Sequence, residues 1–305
     1  MLNFALARFF WAIVTLAAVL TFVFFLARLT GDPVRLMLPD QASQAQVEAM
    51  RQSLGFDRPL VVQYVDFIER AAIGDVGSSL RQRRPALDLV MERLPATLEL
   101  AAPSFVIGFT IALALAIWGE VTGNARLRAA LLWAATFRQS IPPYLFGIVM
   151  VLILSVKMGA LPAMGRGGPL SYVIPILTMA TFEIALYLRL LNTAFDETRG
   201  QDWVRTALAK GVSRSRIVWR HLLPNALLPL ITVAGVNFGF LIGGTVVLEM
   251  VFNWPGVGRL IVQGVTQRDY PVVQAGVVMT GVAFIGINFV VDILYATLDP
   301  RVKLT

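Results

Sequence analysis

WVRTALAKGVSRSRIVWRHLLPNALLP, residues 203–229, sets Arg205, Lys210, Arg214, Arg216 and Arg220 between two long apolar runs. Of the chain's 305 residues, 57% are apolar and 15% charged, against roughly 45–50% and about 25% in soluble domains. That balance belongs to a membrane protein. The net charge of +7 does not point to nucleic acid, because the cations fall between apolar runs and not on one hydrophilic face. With no cysteine, a disulfide framework, a thiol nucleophile and a thiolate metal site are all excluded.

Crossing a bilayer as a helix takes about 20 mainly apolar residues. Six windows qualify, near residues 9–29, 97–118, 129–156, 171–191, 227–251 and 273–294, so the expected fold is an all-α integral membrane protein with six transmembrane helices. The first window is longer than the apolar run of a signal peptide, about 7–15 residues, and no small-x-small cleavage site follows it, so it reads as a retained helix. Arg8, Arg126, Arg128, the 203–229 passage, Arg301 and Lys303 all fall on one side of a six-span chain. Basic loops mark the cytoplasmic side, which places both termini there. The expected organisation is a cytoplasmic N-terminus and first span over 1–29, an external segment over 30–96, and a five-helix core over 97–305. The external segment is too polar to span, and VEAMRQSLGF and YVDFIERAAIG predict short amphipathic helices in it, capping the outer mouth.

Within the basic passage, Trp203 to Lys210 consists largely of good helix formers, and Gly211 stands where a helix ends in a left-handed cap. Ser213 is placed to cap a second helix running to about Leu223, with Pro224 as its stop. Ile217, Val218, Leu222 and Leu223 give this helix an apolar side; Arg214, Arg216 and Arg220 give it a basic one. Two readings fit: an interfacial helix lying on anionic lipid, and a docking element held to the membrane bundle by its apolar face. The pattern alone does not choose between them.

The passage resembles the EAA loop of ABC-importer permeases, in which three residues, three spacers, a glycine, nine spacers and an I-x-L-P ending recur. Arg205, Thr206 and Ala207 stand at the first three places, Gly211 at the glycine, and His221, Leu223 and Pro224 at the ending. WVRTALAKGVSRSRIVWRHLLPNALLP is similar to the variant found in the dipeptide, oligopeptide and nickel permease family. LARLTGDPV, LGFDRPL, GDVGSSL, SIPPYLFG, VFNWPGVGRL, QRDYPVVQA and NFVVDILYATLDPRVK resemble further landmarks of that family, mostly of its glutathione and dipeptide branch. The resemblance implies a type I permease fold, a coupling loop at 196–224, and a bacterial inner-membrane location. It also implies a second permease subunit, two cytoplasmic ABC ATPases and an extracytoplasmic solute-binding protein as partners, besides membrane lipid. Coupling then falls to Arg205, Thr206, Ala207, Lys210, Gly211, Ser213, Arg216, Ile217, Trp219, Arg220, His221, Leu223 and Pro224. Whether the arginines or the apolar edge around Ile217 and Trp219 would meet the ATPase stays open.

Inside the spans, Gly235, Gly239 and Gly243 share one helix face, a spacing that lets a neighbouring helix approach closely. Asn237 lies roughly opposite, free to touch the pathway or a partner helix. Pro142 and Pro143 are expected to kink the third span. Arg138 and Glu183 sit about 10–14 Å from the cytoplasmic ends of their helices, where a charge costs about 2.5–3.5 kcal/mol on insertion scales. Their depths allow them to meet, and two readings stay open: a structural ion pair between adjacent helices, and a charged pair lining the pathway. Arg189 matches a family arginine and is expected to snorkel to the cytoplasmic interface, while Asn192 replaces a second arginine of the pattern. Glu249 and Asp292, near span ends, are read as hydrated or helix-capping. No catalytic constellation emerges: His221 is the single histidine, which rules out a histidine triad in the membrane and a multi-histidine metal site. No GxxxxGK[ST] loop occurs, so no nucleotide or other cofactor is expected in this chain and ATP belongs to its partners. The alternatives are an ion-coupled secondary transporter, with Glu183 as the ion site, and an intramembrane hydrolase, for which no nucleophile with a base is found.

Overall fold

The computed structural model describes residues 2–29, 34, 38, 42–53 and 55–298. Residues 30–33 of the LARLTGDPV landmark, and the chain's end with Arg301 and Lys303, lie outside them. The described residues are almost entirely helical. In chain order the helices are α1 (Leu2–Leu29), α2 (Gln44–Ser53), α3 (Leu60–Ala72), α4 (Ala86–Thr122), α5 (Ala125–Ser140), α6 (Pro143–Met150), α7 (Val173–Arg199), α8 (Asp202–Ala209) and α9 (Arg214–Ile217). α10 (Leu223–Gly244), α11 (Val246–Val251), α12 (Val257–Gln267) and α13 (Tyr270–Leu298) follow. Among the described residues five helices are long and apolar enough to cross a membrane, and six spans result if the bent pair α5 and α6 counts as one.

α4 starts eleven residues before the expected window, and the reason lies in what its first turns cover. Ala86, Leu89 and Val90 are buried against Val76, Val257, Leu260, Val272 and Ala275, so the polar segment before α4 is anchored on a helix that continues the span outward. Asp269 fastens the same region. Its carboxylate accepts the Ser79 hydroxyl at 2.5 Å and the Leu80 amide at 3.0 Å, joining GDVGSSL to QRDYPVVQA across 190 residues of sequence. α3 leans on α1 through a Thr21 to Tyr64 hydroxyl contact of 2.7 Å and through Phe24 packed on Tyr64 and Phe67.

The kink expected at Pro142 and Pro143 is a full break. α5 ends at Ser140, Ile141 is extended, and the axes on either side meet at 96°. Two consecutive prolines cannot donate to the helix ladder, which frees carbonyls at membrane depth. Arg138 takes one of them and ties the break to α7: its guanidinium donates to Ile141 O at 3.1 Å and to Thr178 O and Thr181 Oγ1 of α7 at 2.9 Å each, and lies 4.0 Å from the centre of the Phe146 ring. It therefore does not meet Glu183. Thr178, Thr181 and Phe182 turn toward α5, whereas Glu183, one position on and so about 100° further round α7, faces α4 and α10. A Cβ on Gly108 of α4 would fall 2.3 Å from Glu183 Cβ.

Glu249 is fully enclosed, not hydrated. It accepts Thr97 Oγ1 at 2.7 Å, Thr245 Oγ1 at 3.1 Å and the Arg259 amide at 2.8 Å. The last of these lies in the first turn of α12, where a carboxylate is favoured by the helix dipole. Asp292 pairs with Arg8 at 3.2 Å, joining α13 to α1.

The glycine seam divides. A Cβ on Gly235 would fall 2.1 Å from Val291 Cγ2 and one on Gly239 would fall 2.7 Å from Phe284 Cδ2, so both hold α10 against α13. Gly243 has nothing within 4 Å and is no part of that contact. Accordingly, Gly235→Leu should overpack the α10 and α13 contact and cost about 1–3 kcal/mol, while Gly243→Leu should be close to neutral. Thermal unfolding of the detergent-solubilised chain compares the two; equal effects would contradict this division.

Candidate functional site

The basic passage folds as a helix, a glycine hinge and a second helix. α8 closes with Lys210 N donating to Thr206 O at 3.1 Å, and Gly211, at φ +73°, carries the chain round with its amide on Leu208 O at 2.9 Å. Nothing lies within 4 Å of a Cβ built on Gly211. Glycine is needed there for its backbone angle and not for space. Ser213 occupies the N-cap position of α9 by its extended backbone, but its hydroxyl makes no capping bond.

Pro224 does not stop the second helix. α9 runs into a π-helical turn, Val218–Leu222, and this runs directly into α10, with Leu223 N donating to Val218 O. A proline ends an α-helix because it lacks an amide and its ring collides with the carbonyl four residues back. The wider i to i+5 turn accommodates both, and Asn225 Nδ2 takes up the His221 carbonyl at 2.7 Å. The loop therefore continues into the fifth span without a joint.

One face of the passage is a seat. Val204, Ile217, Val218, Leu222 and Leu223 are buried against Tyr187, Leu188, Leu191 and Phe195 of α7 and Ala226 and Leu230 of α10. The other face is open: Arg205, Thr206, Lys210, Arg214, Arg216 and Arg220 are exposed, Trp219 is 57% exposed, and His221, half-buried, packs its ring 5.5 Å from that of Trp203. Ala207 is half-buried. The apolar edge foreseen around Ile217 and Trp219 is thus split: Ile217 points inward at 4% exposure and Trp219 points out.

Beneath the seat lies an ion network that sequence reasoning missed. The Glu120 carboxylate, at the end of α4, accepts Arg199 Nε at 3.0 Å and a second, shorter bond from Arg199 Nη2, and Arg128 Nη1 approaches it at 3.7 Å. Asp196 accepts Arg128 and Arg199 at 2.9 Å each. Glu120, Arg128 and Arg199, with Gly123, Arg214 and Val218, line a cavity of about 250 Å³ between the passage and the α4 to α5 turn. Arg214 lies directly over Gly123, where a Cβ would fall 1.7 Å from its Nη1. Glu120 and Arg199 are 79 residues apart; the only signal in the sequence was a charge in the last turn of each of two spans.

Of the three pathway candidates, Arg138 and Glu183 are buried within the chain and Asn237 is half-buried. Glu183 accepts a short bond from Asn237 Nδ2, which also donates to Tyr187 Oη at 2.9 Å, tying α7 to α10. Arg138 closes the break in the third span. Asn192 is buried and bonds to Leu188 O of its own helix at 2.8 Å.

Residues 124–304 match the family of binding-protein-dependent transport system inner membrane components, and residues 1–101 match the N-terminal region described for the same systems. The glutathione transport system permease protein GsiC of Escherichia coli (strain K12) is 39% identical over 304 residues, covering 99% of each chain, and that of Shigella boydii serotype 4 (strain Sb227) is 38% identical over the same length. Among solved structures, the MetNI methionine ABC transporter in an inward-facing conformation aligns with a TM-score of 0.55 at 22% identity, covering 69% of this chain and 96% of that one, which extends the likeness to the fold. These matches lend no support to the ion-coupled alternative. A chain of five or six apolar helices, with a hinged basic passage seated between the fourth and fifth, belongs to the binding-protein-dependent transport system inner membrane component family and is a permease subunit of an ABC importer.

Proposed function

We propose that this permease forms half of the path by which glutathione or a related small peptide crosses the bacterial inner membrane. The full-length similarity to glutathione permeases supports that cargo class. In this reading a second permease supplies the other half, two cytoplasmic ATPases bind the nucleotide, and an extracytoplasmic binding protein delivers the cargo. The end of the bundle carrying Arg8, Arg126, Arg128 and the basic passage faces the cytoplasm, as the distribution of cations favours, and the 30–96 segment lies outside.

The observation that carries the reading is the two-faced passage. Its open face presents Arg205, Thr206, Lys210, Gly211, Ser213, Arg216, Trp219, Arg220 and His221 to a partner, Ile217 and Leu223 bind it to the core, and the exposed Pro224 carries it into α10. Closure of the ATPases moves the open face. The π-helical turn passes this movement into α10 without slack, the buried seat passes it to α7, and the Arg199 to Glu120 pair passes it to α4. Because packed helices have discrete arrangements, a small shift at the loop becomes a change in which side the path opens to.

Gly211→Pro forbids a positive φ and should abolish ATP-driven uptake by the assembled importer while the subunit still inserts; normal uptake by this variant sinks the coupling proposal. Glu120→Arg should leave Arg199 and Arg128 beside a like charge and uncouple ATP hydrolysis from uptake, and adding Arg199→Glu should recover much of the loss. Uptake per ATP hydrolysed measures both, and a double variant no better than the single one would remove the pair from the transmission route.

A further inference from the structure

A second feature lies on the chain's outer surface, in a groove of about 380 Å³ between the end of α5, one stripe of α7 and the start of α10. Leu186, Arg189, Thr193 and Glu197 follow one another at helical spacing along its floor, with Gln139 and Pro229 on its flanks. The opposite side of α7 is core, with Tyr187, Leu188, Leu191 and Phe195 buried. Arg189 and Thr193 are exposed.

Depth makes this exposure informative. Arg189 precedes Asp196 and Arg199 by seven and ten residues. The ion network formed by those two marks the polar end of the helix, so Arg189 lies about 10–15 Å inside it, within a hydrocarbon layer about 30 Å thick. It does not snorkel to the cytoplasmic end. α7 runs toward that end, so its side chains tilt away from it, and Arg189 Nη1 bonds to Gln139 Oε1 on the penultimate residue of α5. An arginine exposed at that depth cannot face acyl chains without large cost. It faces water or another polar group.

Its one described partner is neutral. A guanidinium carries five N–H donors in a fork that matches a carboxylate, and no carboxylate of the described residues lies within ion-pair distance of Arg189. Glu197, two turns toward the loop end on the same stripe, supplies the opposite charge. We propose that this groove is a cargo-facing wall of the translocation path, and that Arg189 receives the carboxylate of a zwitterionic or anionic peptide as it passes. The proposal rests on the importer reading above and adds to it a site and the chemistry that the site selects.

The absence of cysteine allows a direct test. In the assembled importer carrying Glu197→Gln, which removes the carboxylate one turn from position 193 on the side away from Arg189, Thr193→Cys should react with membrane-impermeant thiosulfonates. With each rate taken relative to that of a small free thiol, an anionic reagent should outpace a cationic one by about tenfold, as a neighbouring positive charge in a partly aqueous groove dictates. Arg189→Gln should abolish the preference and Arg189→Lys should keep it. Uptake of S-methylglutathione, which retains both carboxylates and lacks the thiol, should fall about tenfold in Arg189→Gln, equivalent to about 1.4 kcal/mol, with ATP hydrolysis retained. Failure of Thr193→Cys to react would put lipid or the second permease in the groove and overturn the proposal. So would equal relative rates for the two reagents, loss of assembly in Arg189→Gln, or unchanged uptake by it. If the wild-type importer shows no ATP-dependent uptake, the importer reading fails instead, and the labelling rates still decide what the groove faces.

Discussion

In a membrane, every charge and every backbone group released from a helix must be satisfied within the protein, because the surrounding solvent offers no hydrogen bonds. The arrangement of this chain follows from where it meets that demand. Arg138 takes the Ile141 carbonyl at the break before Pro142 and Pro143 and ties it to the Thr178 carbonyl of α7, where a span turns through 96°. Glu249, wholly enclosed, is answered by two threonine hydroxyls and the first turn of α12. Glu183 is met by Asn237. Each of the three groups makes at least one contact to an element distant in sequence, so the polar groups specify which helices are neighbours while the apolar ones, indifferent between lipid and protein, do not.

The spans and the hinge were legible in the sequence because both depend on local properties. Apolar length sets a span, and a glycine flanked by good helix formers sets a left-handed cap. What stayed hidden depends on tertiary placement. Arg138 and Glu183 lie at similar depth, which suggests a pair, but a rotation of about 100° along α7 separates their faces. Pro224 reads as a stop from its own chemistry, and only the wider turn before it lets the helix continue. Gly243 shares the periodicity of Gly235 and Gly239 but lies beyond the reach of α13. The Glu120, Arg128, Asp196 and Arg199 network joins three helix ends whose proximity no local pattern reports.

These contacts divide the basic passage into a buried part and an exposed one. Ile217, Val218, Leu222 and Leu223 are structural, and their burial explains why the apolar edge is unavailable to a partner. The arginines and Trp219 are what a partner can reach. In the proposed reading, a rigid seat, a helix continuous with the fifth span and an ion pair to the second together make a short path for force between a cytoplasmic motor and the membrane bundle.

The most direct test of that division uses single cysteines introduced into the cysteine-free chain within the assembled importer, followed by short-span crosslinking to the ATPase subunits. Trp219→Cys should crosslink and Ile217→Cys should not, since the first side chain is 57% exposed and the second 4%. Crosslinking through position 217, or none through position 219, would contradict the account.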